Sequence, residues 1–297
     1  MKAVNKAHAA LFTVALIYGA NYTIAKEVLD QEYIQPLGFI LLRAGAGFLI
    51  FTLLHLLFVG ERVARKDLGW LLLCALFGVA INQMFFFSGL KLTTQINAAL
   101  ILTTVPLIVL LTSAVLLKER ITPYKLLGIA AGAAGAILLI TYGKTANFSR
   151  EGLLGDLMVL INAISYGIYL VLVKRLLVKY HPFTVVRWVF TFGFFLVMPF
   201  GLRQATAIEW STFTPGIWVA VAYVLICTSV LAYLLNVYAM KVVSPSIASI
   251  YIYLQPFLAA IIALYFGKDE LTTTKLIAGV LIFTGVYLVS SQSAAKS

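Results

Sequence analysis

The stretch from Trp70 to Ile140 can be laid over the stretch from Trp218 to Ser290 at an offset of about 150 residues. Trp70 meets Trp218, Lys91 meets Lys241, Ala98 meets Ala248, Pro106 meets Pro256 and Glu119 meets Glu270. Upstream, Tyr18-Gly19 and Lys26 meet Tyr166-Gly167 and Lys174, and Arg43 meets Arg187 after a short slip. The chain therefore reads as two copies, 1–142 and 153–291. Apolar runs of about 20 residues are what a helix needs to span the hydrocarbon core. Such runs fall at 7–27, 36–59, 69–90, 94–117, 125–142, 153–173, 183–202, 215–240, 246–266 and 275–291. The expected fold class is an all-α integral membrane protein with ten transmembrane helices, five in each copy. An odd number of crossings per copy forces the two copies into opposite orientations, an arrangement that recurs in secondary transporters.

Composition agrees with a membrane class. Of 297 residues, 62% are hydrophobic and 11% charged, against about 25% charged in a soluble domain. The first apolar run is too long for a typical signal h-region and a second one follows it. The net charge of +11 is read through topology, since basic residues collect in cytoplasmic loops. With the N-terminus inside, thirteen Lys and Arg fall on inner segments and seven on outer ones, leaving Arg43 and Arg187 within helices. That bias puts both termini in the cytoplasm. No basic stripe with interleaved aromatics is present, so nucleic acid is not expected as a partner. Cys74 and Cys227 sit in apolar runs without pairing or metal-ligand spacing, as small apolar residues do.

A polar side chain inside lipid needs a protein partner or a wet cavity, so such residues mark candidate sites. Arg43 lies seven residues into its helix. Its planar fork suits bidentate binding of a carboxylate or phosphate, and the alternative is a structural Arg that snorkels to the outer interface. Arg187 lies nearer the inner face, where snorkelling is easier, and is read as a gate element. Tyr18 and Asn21 share a helical face. Asn82-Gln83 is an adjacent amide pair of which one member faces a cavity and the other a neighbouring helix. Asn97, Asn162 and Tyr166 add polar groups on the fourth and sixth helices, and Asn162, Ser165 and Tyr169 draw a polar line along one face. Tyr251 and Gln255 form an i, i+4 pair beside Pro256. The substrate-binding candidates are thus Tyr18, Asn21, Arg43, Asn82, Asn97, Asn162, Tyr166, Tyr251 and Gln255. Pro106 and Pro256 remove a backbone donor and kink their helices, which makes them hinge candidates, with Phe85 as a gate. Gly128, Gly132 and Gly135 draw a small-residue face that allows close helix approach within the chain or in a homodimer.

Several segments resemble the EamA-type branch of the drug/metabolite transporter superfamily. Tyr18-Gly19-Ala20-Asn21 with downstream Lys26, Pro36 with Arg43, the Ala98–Pro106–Glu119 helix, its echo at Ala248–Pro256–Glu270, and Gly128 and Gly279 carry the resemblance. It implies an inner-membrane alternating-access carrier, often a metabolite exporter, without ATP hydrolysis and without a cofactor. Its cavity would be lined mainly by helices 1, 3, 4, 6, 8 and 9, and its partners would be a small-molecule solute and membrane lipid. The second copy departs from the motif at Ser165-Tyr166-Gly167-Ile168-Tyr169, which lacks the Asn found at Asn21.

None of the eleven carboxylates falls at the centre of an apolar run. A proton-coupled exporter of lipophilic cations normally uses a midplane acid, so amino acids or related anionic, zwitterionic or neutral solutes are expected instead. A membrane enzyme acting on lipid-linked substrates is the rival from another class. It would need a reactive acid, His or metal cluster, and His8, His55 and His181 are scattered, with no P-loop or G-x-S-x-G in the chain.

Overall fold

The computed structural model describes residues 2–30, 33–93, 95–141, 150–265 and 272–294. Glu270 and most of the Gly143–Gly152 connection lie outside the described residues. The described residues form helices without any strand. The helical stretches are α1 (Lys2–Asp30), α2 (Pro36–Phe58), α3 (Arg65–Leu92), α4 (Asn97–Leu116), α5 (Pro123–Thr141), α6 (Arg150–Leu177), α7 (Pro182–Thr206), α8 (Pro215–Val242), α9 (Pro245–Ile262) and α10 (Thr273–Ala294).

Proline opens α2, α5, α7, α8 and α9, where its missing N–H costs nothing because first-turn donors have no intrahelical acceptor. Counting described residues only, eight of the helices are long and apolar enough to cross a membrane, and α5 adds a shorter apolar stretch, Pro123–Leu138.

Helices α3 and α8 each widen into a π segment, at Leu76–Ala80 and Val224–Leu231. Helices α4 and α9 break in the middle: a turn at Thr103–Thr104 precedes Pro106, and a 3₁₀ turn at Tyr251–Tyr253 precedes Pro256. The sequence reading expected kinks at these prolines and no π segments. A proline evicts the carbonyl four residues upstream from the helical ladder, here that of Leu102 and that of Ile252. Each break lies where its proline requires.

Packing follows the repeat. Helix α2 runs along α7 and α5 along α10; α3 and α4 pack on α6 as α8 and α9 pack on α1; α3 touches α7 as α8 touches α2. Exchanging the first five helices with the last five leaves these pairings unchanged. The α2–α7 pair is antiparallel: Gly38 abuts Gln204 and Ala205, Gly47 receives the Phe190 ring, and His55 meets Arg187. Each member caps the other. Gln204 Oε1 accepts from the Leu37 and Gly38 amides at 2.8 and 3.1 Å. The Glu61 carboxylate, just past α2, accepts from the His181 amide at 2.9 Å and from Thr184 Oγ1 at 2.6 Å. Both caps satisfy first-turn donors that would otherwise lack acceptors.

The α5–α10 pair is also antiparallel and rests on the small face read from the sequence, so Gly128, Gly132 and Gly135 pack within the chain. A Cβ on Gly128 would lie 2.9 Å from the Gly285 carbonyl, and one on Gly135 would lie 2.7 Å from that of Ala278. Because backbone cannot swing aside as a side chain can, Gly135→Ala is expected to lower stability by about 1–3 kcal/mol. Gly69→Ala, in a helix with open space around the site, should leave stability unchanged or raise it by up to about 1 kcal/mol. Thermal midpoints of the detergent-solubilised variants measure the contrast; equal midpoints would contradict this packing.

Candidate functional site

A cavity of about 140 Å³ lies beside the breaks of α4 and α9. Its wall takes residues from α1, α3, α4, α6, α8 and α9, the six helices expected, and from α2 as well. It reaches from the midpoints of the helices towards Leu29 and Leu90, near the C-terminal ends of α1 and α3. Beyond the opposite end the core is closed by aromatic rings. Phe190 meets Tyr233 edge to face at 4.9 Å, and Tyr169 stands 6.4 Å from Tyr233. Glycines open the slots for these rings: Gly78 for Tyr169 and Gly47 for Phe190.

Tyr18, Asn21, Arg43, Asn82, Asn162, Tyr166 and Gln255 come together on this wall. Arg43 is 5% exposed. Its Nε donates to Ser229 Oγ at 2.9 Å, and its guanidinium carbon lies 5.1 Å from the centre of the Phe87 ring. The Ser229 hydroxyl in turn donates to the Val224 carbonyl at 3.0 Å inside the α8 π segment, so its oxygen is left to accept from the arginine. Among the described residues no carboxylate lies within ion-pair distance of Arg43, and neither Nη nitrogen has a hydrogen-bond partner. A buried guanidinium is costly unless it is paired. This one presents two terminal nitrogens at a cavity without acids in its wall among the described residues.

Several other polar residues of the wall bond to the protein itself. Asn162 Nδ2 donates to the Asn82 carbonyl at 2.7 Å, while Ser165 Oγ, further along the same face, donates to that of Phe77 at 2.6 Å. Thus the polar line along α6 faces protein. Asn236 Nδ2 donates to Tyr166 Oη at 2.9 Å. Gln83, absent from the expected contacts, lines the cavity together with Asn82. So do Tyr233, Phe86 and Phe87, and Phe85 does not. The i, i+4 spacing of Gln83 and Phe87 places both on one face of α3 and is the sequence signal for Gln83.

Three candidates stand elsewhere. Asn97 lies off the wall, its Nδ2 donating to Asp156 Oδ2 at 3.2 Å, and Thr93 Oγ1 donates to the other carboxylate oxygen at 2.5 Å. Tyr251 Oη is hydrogen-bonded to His8 Nδ1 at 2.7 Å. Arg187 Nη1 sits 2.9 Å from His55 Nδ1, and His55 Nε2 sits 3.1 Å from the Glu61 carbonyl. That carbonyl only accepts, so Nε2 carries the proton and Nδ1 accepts from the arginine. Arg187 therefore has a neutral histidine as partner, where its repeat mate Arg43 points at open space. Their tertiary settings separate two arginines that the sequence presents as equivalent.

A second polar cluster lies at the end of α4. Lys125 Nζ pairs with Glu119 Oε1 at 2.5 Å, and Ser246 Oγ donates to Glu119 Oε2 at 3.0 Å, tying α4 to the start of α9. Lys174 Nζ donates to the carbonyls of Met240 and Val243 at 2.5 and 2.9 Å, a cation placed where a helix C-terminus favours one. Among the described residues no group of three or more His, Cys, Asp or Glu side chains is arranged to hold a metal ion.

The chain is similar to known proteins over its whole length. It is 30% identical to an uncharacterized transporter of Archaeoglobus fulgidus, over 97% of this chain and 98% of that protein. It is 24% identical to a probable terminal-alkyne amino-acid exporter of Streptantibioticus cattleyicolor, over 78% and 76% of the two chains. A solved crystal structure superposes with a TM-score of 0.79 at 21% identity, covering 99% of both chains, which shows the fold. The model of the EamA-like transporter family matches residues 5–141 and again residues 153–291. With apolar helices enough for a multi-pass membrane protein and the family model matching both stretches, the chain belongs to the EamA-like transporter family.

Proposed function

We propose that this protein is a secondary, alternating-access carrier that exports a small metabolite, an amino acid or a related anionic, zwitterionic or neutral solute. In this reading ten helices cross the membrane as two inverted copies, 1–142 and 153–291, with both termini in the cytoplasm. The sequence offset and the antiparallel packing of the repeat mates α2 with α7 and α5 with α10 support the inversion. The solute sits between the copies. The breaks at Pro106 and Pro256 serve as hinges on which the copies rock. With the orientation given by the lysines and arginines, the cavity extends towards the external side. Tyr169, Phe190 and Tyr233 then form the internal plug.

One observation carries the solute class: Arg43 is a buried cation on the cavity wall with no carboxylate partner among the described residues. A solute carboxylate would supply the missing anion through a charge-assisted, bidentate contact. The amino-acid exporter among the relatives points the same way.

Purified protein in proteoliposomes should show saturable counterflow of neutral amino acids. Arg43→Ala should cut uptake about 10- to 100-fold, the loss of a hydrogen bond to a charged group, with membrane insertion unchanged. Arg43→Lys, which keeps the charge but not the fork, should fall between the two. Equal counterflow in all three would return Arg43 to a structural role. Separately, thiol labels placed at each terminus of a variant lacking Cys74 and Cys227 should react only from the cytoplasmic side. Termini labelled from opposite sides would end the inversion.

A further inference from the structure

Gln83 is 3% exposed and lies on the cavity wall. Its Nε2 donates to Tyr233 Oη at 3.1 Å, and Tyr233 Oη donates onward to the Gly78 carbonyl at 2.9 Å. A backbone carbonyl cannot donate, so the tyrosine's one proton is committed to Gly78 and its oxygen must accept. The glutamine amide is thereby held with its nitrogen towards Tyr233 and cannot turn over. Its Oε1 is left buried without a hydrogen-bond partner. Asn21 Oδ1, from the opposite wall of the same cavity, is a second buried acceptor without one. Leaving such an oxygen unsatisfied is costly, about 1–3 kcal/mol, and here a tyrosine holds the amide in the orientation that incurs it. Phe87, which carries the Arg43 guanidinium on its ring, follows Gln83 by one helical turn, a rise of about 5.4 Å. The ring that carries the Arg43 cation and the Gln83 acceptor thus lie one turn apart on α3, with no acid lining the cavity among the described residues.

We propose that Gln83, held by Tyr233, is the acceptor that selects an α-ammonium group on a solute whose carboxylate sits on Arg43. The assignment rests on the carrier reading above and goes beyond it. It makes the substrate an α-amino acid with an uncharged side chain, and it makes Tyr233 a positioning residue rather than a contact. A neutral acceptor suits the ammonium because it adds no competing charge to the carboxylate of the ligand. Phe86 and Leu90 line the same cavity, where an apolar side chain finds matching surface.

The test compares counterflow of L-leucine and of L-phenylalanine with that of 4-methylpentanoate and 3-phenylpropanoate, which keep the carboxylate and side chain and carry hydrogen in place of the ammonium. The wild type should prefer each amino acid by about tenfold or more, as sites that bond a polar group reject analogues lacking it. Gln83→Leu and Tyr233→Phe should bring that preference close to unity, chiefly by slowing the amino acid. Gln83→Glu, which keeps an acceptor in place, should retain the preference. If both members of each pair fall together in Gln83→Leu and Tyr233→Phe, the two residues are merely structural and the assignment is overturned while the carrier reading stands. If the wild type moves neither amino acid, the solute class proposed above fails and this inference fails with it.

Discussion

Lipid offers no hydrogen bonds, so every backbone N–H and C=O within the bilayer must be satisfied by the chain itself. Helices do this without help until they are broken, and these helices are broken where the cavity is. The π segment of α3 and the turn of α4 set carbonyls against the other copy, and side chains from that copy answer them. Ser165 and Tyr233 take the carbonyls of Phe77 and Gly78, Asn162 takes that of Asn82, and Tyr253 takes that of Thr103 at 2.9 Å. Tyr223 takes the Ile17 carbonyl at 2.9 Å in the same way. All five donors come from the second copy and all five acceptors from the first. The halves are sewn together by the irregularities that make room for a solute.

This traffic runs one way because the copies have diverged in side chain while keeping backbone alike. Tyr169, Phe190, Tyr233 and Tyr253 fill the closed end of the core. By the sequence offsets their mates in the first copy are Asn21, Ala46, Gln83 and Thr103. Where one copy carries bulky rings, the other carries small or polar groups, and the cavity opens beside them. Two of the mates, Gln83–Tyr233 and Thr103–Tyr253, touch each other directly across the repeat. Of the four mates, Asn21 and Gln83 line the cavity.

Much of this was legible in the residues. The duplication, the helical class, the breaks at Pro106 and Pro256 and the glycine faces of α5 all follow from spacing and elementary sterics. Seven of nine expected contact residues share one cavity because polar groups on buried helix faces have few other places to go. The misplacements share a cause. Asn97 and Tyr251 are polar and lie on the expected helices, but Asp156 and His8 satisfy them away from the cavity. Phe85 and Phe86 are adjacent in sequence, and α3 turns only the second towards the cavity. The i, i+4 spacing of Gln83 and Phe87 marks their shared face, but nothing local shows that Tyr233, 150 residues away, locks the glutamine amide.

By itself the sequence determined that this chain folds as two apolar helical copies, where the helices bend, and which polar residues must be sheltered from lipid. Those are consequences of local composition, periodicity and the missing N–H of proline. Only the tertiary structure decided which arginine turns its terminal nitrogens to the cavity, since Arg43 and Arg187 are repeat mates with the same chemistry. His55 happens to face one of them and a cavity the other. Partnership in a packed interior depends on which distant side chain arrives, and that is set by the whole assembly of helices rather than by any segment of it.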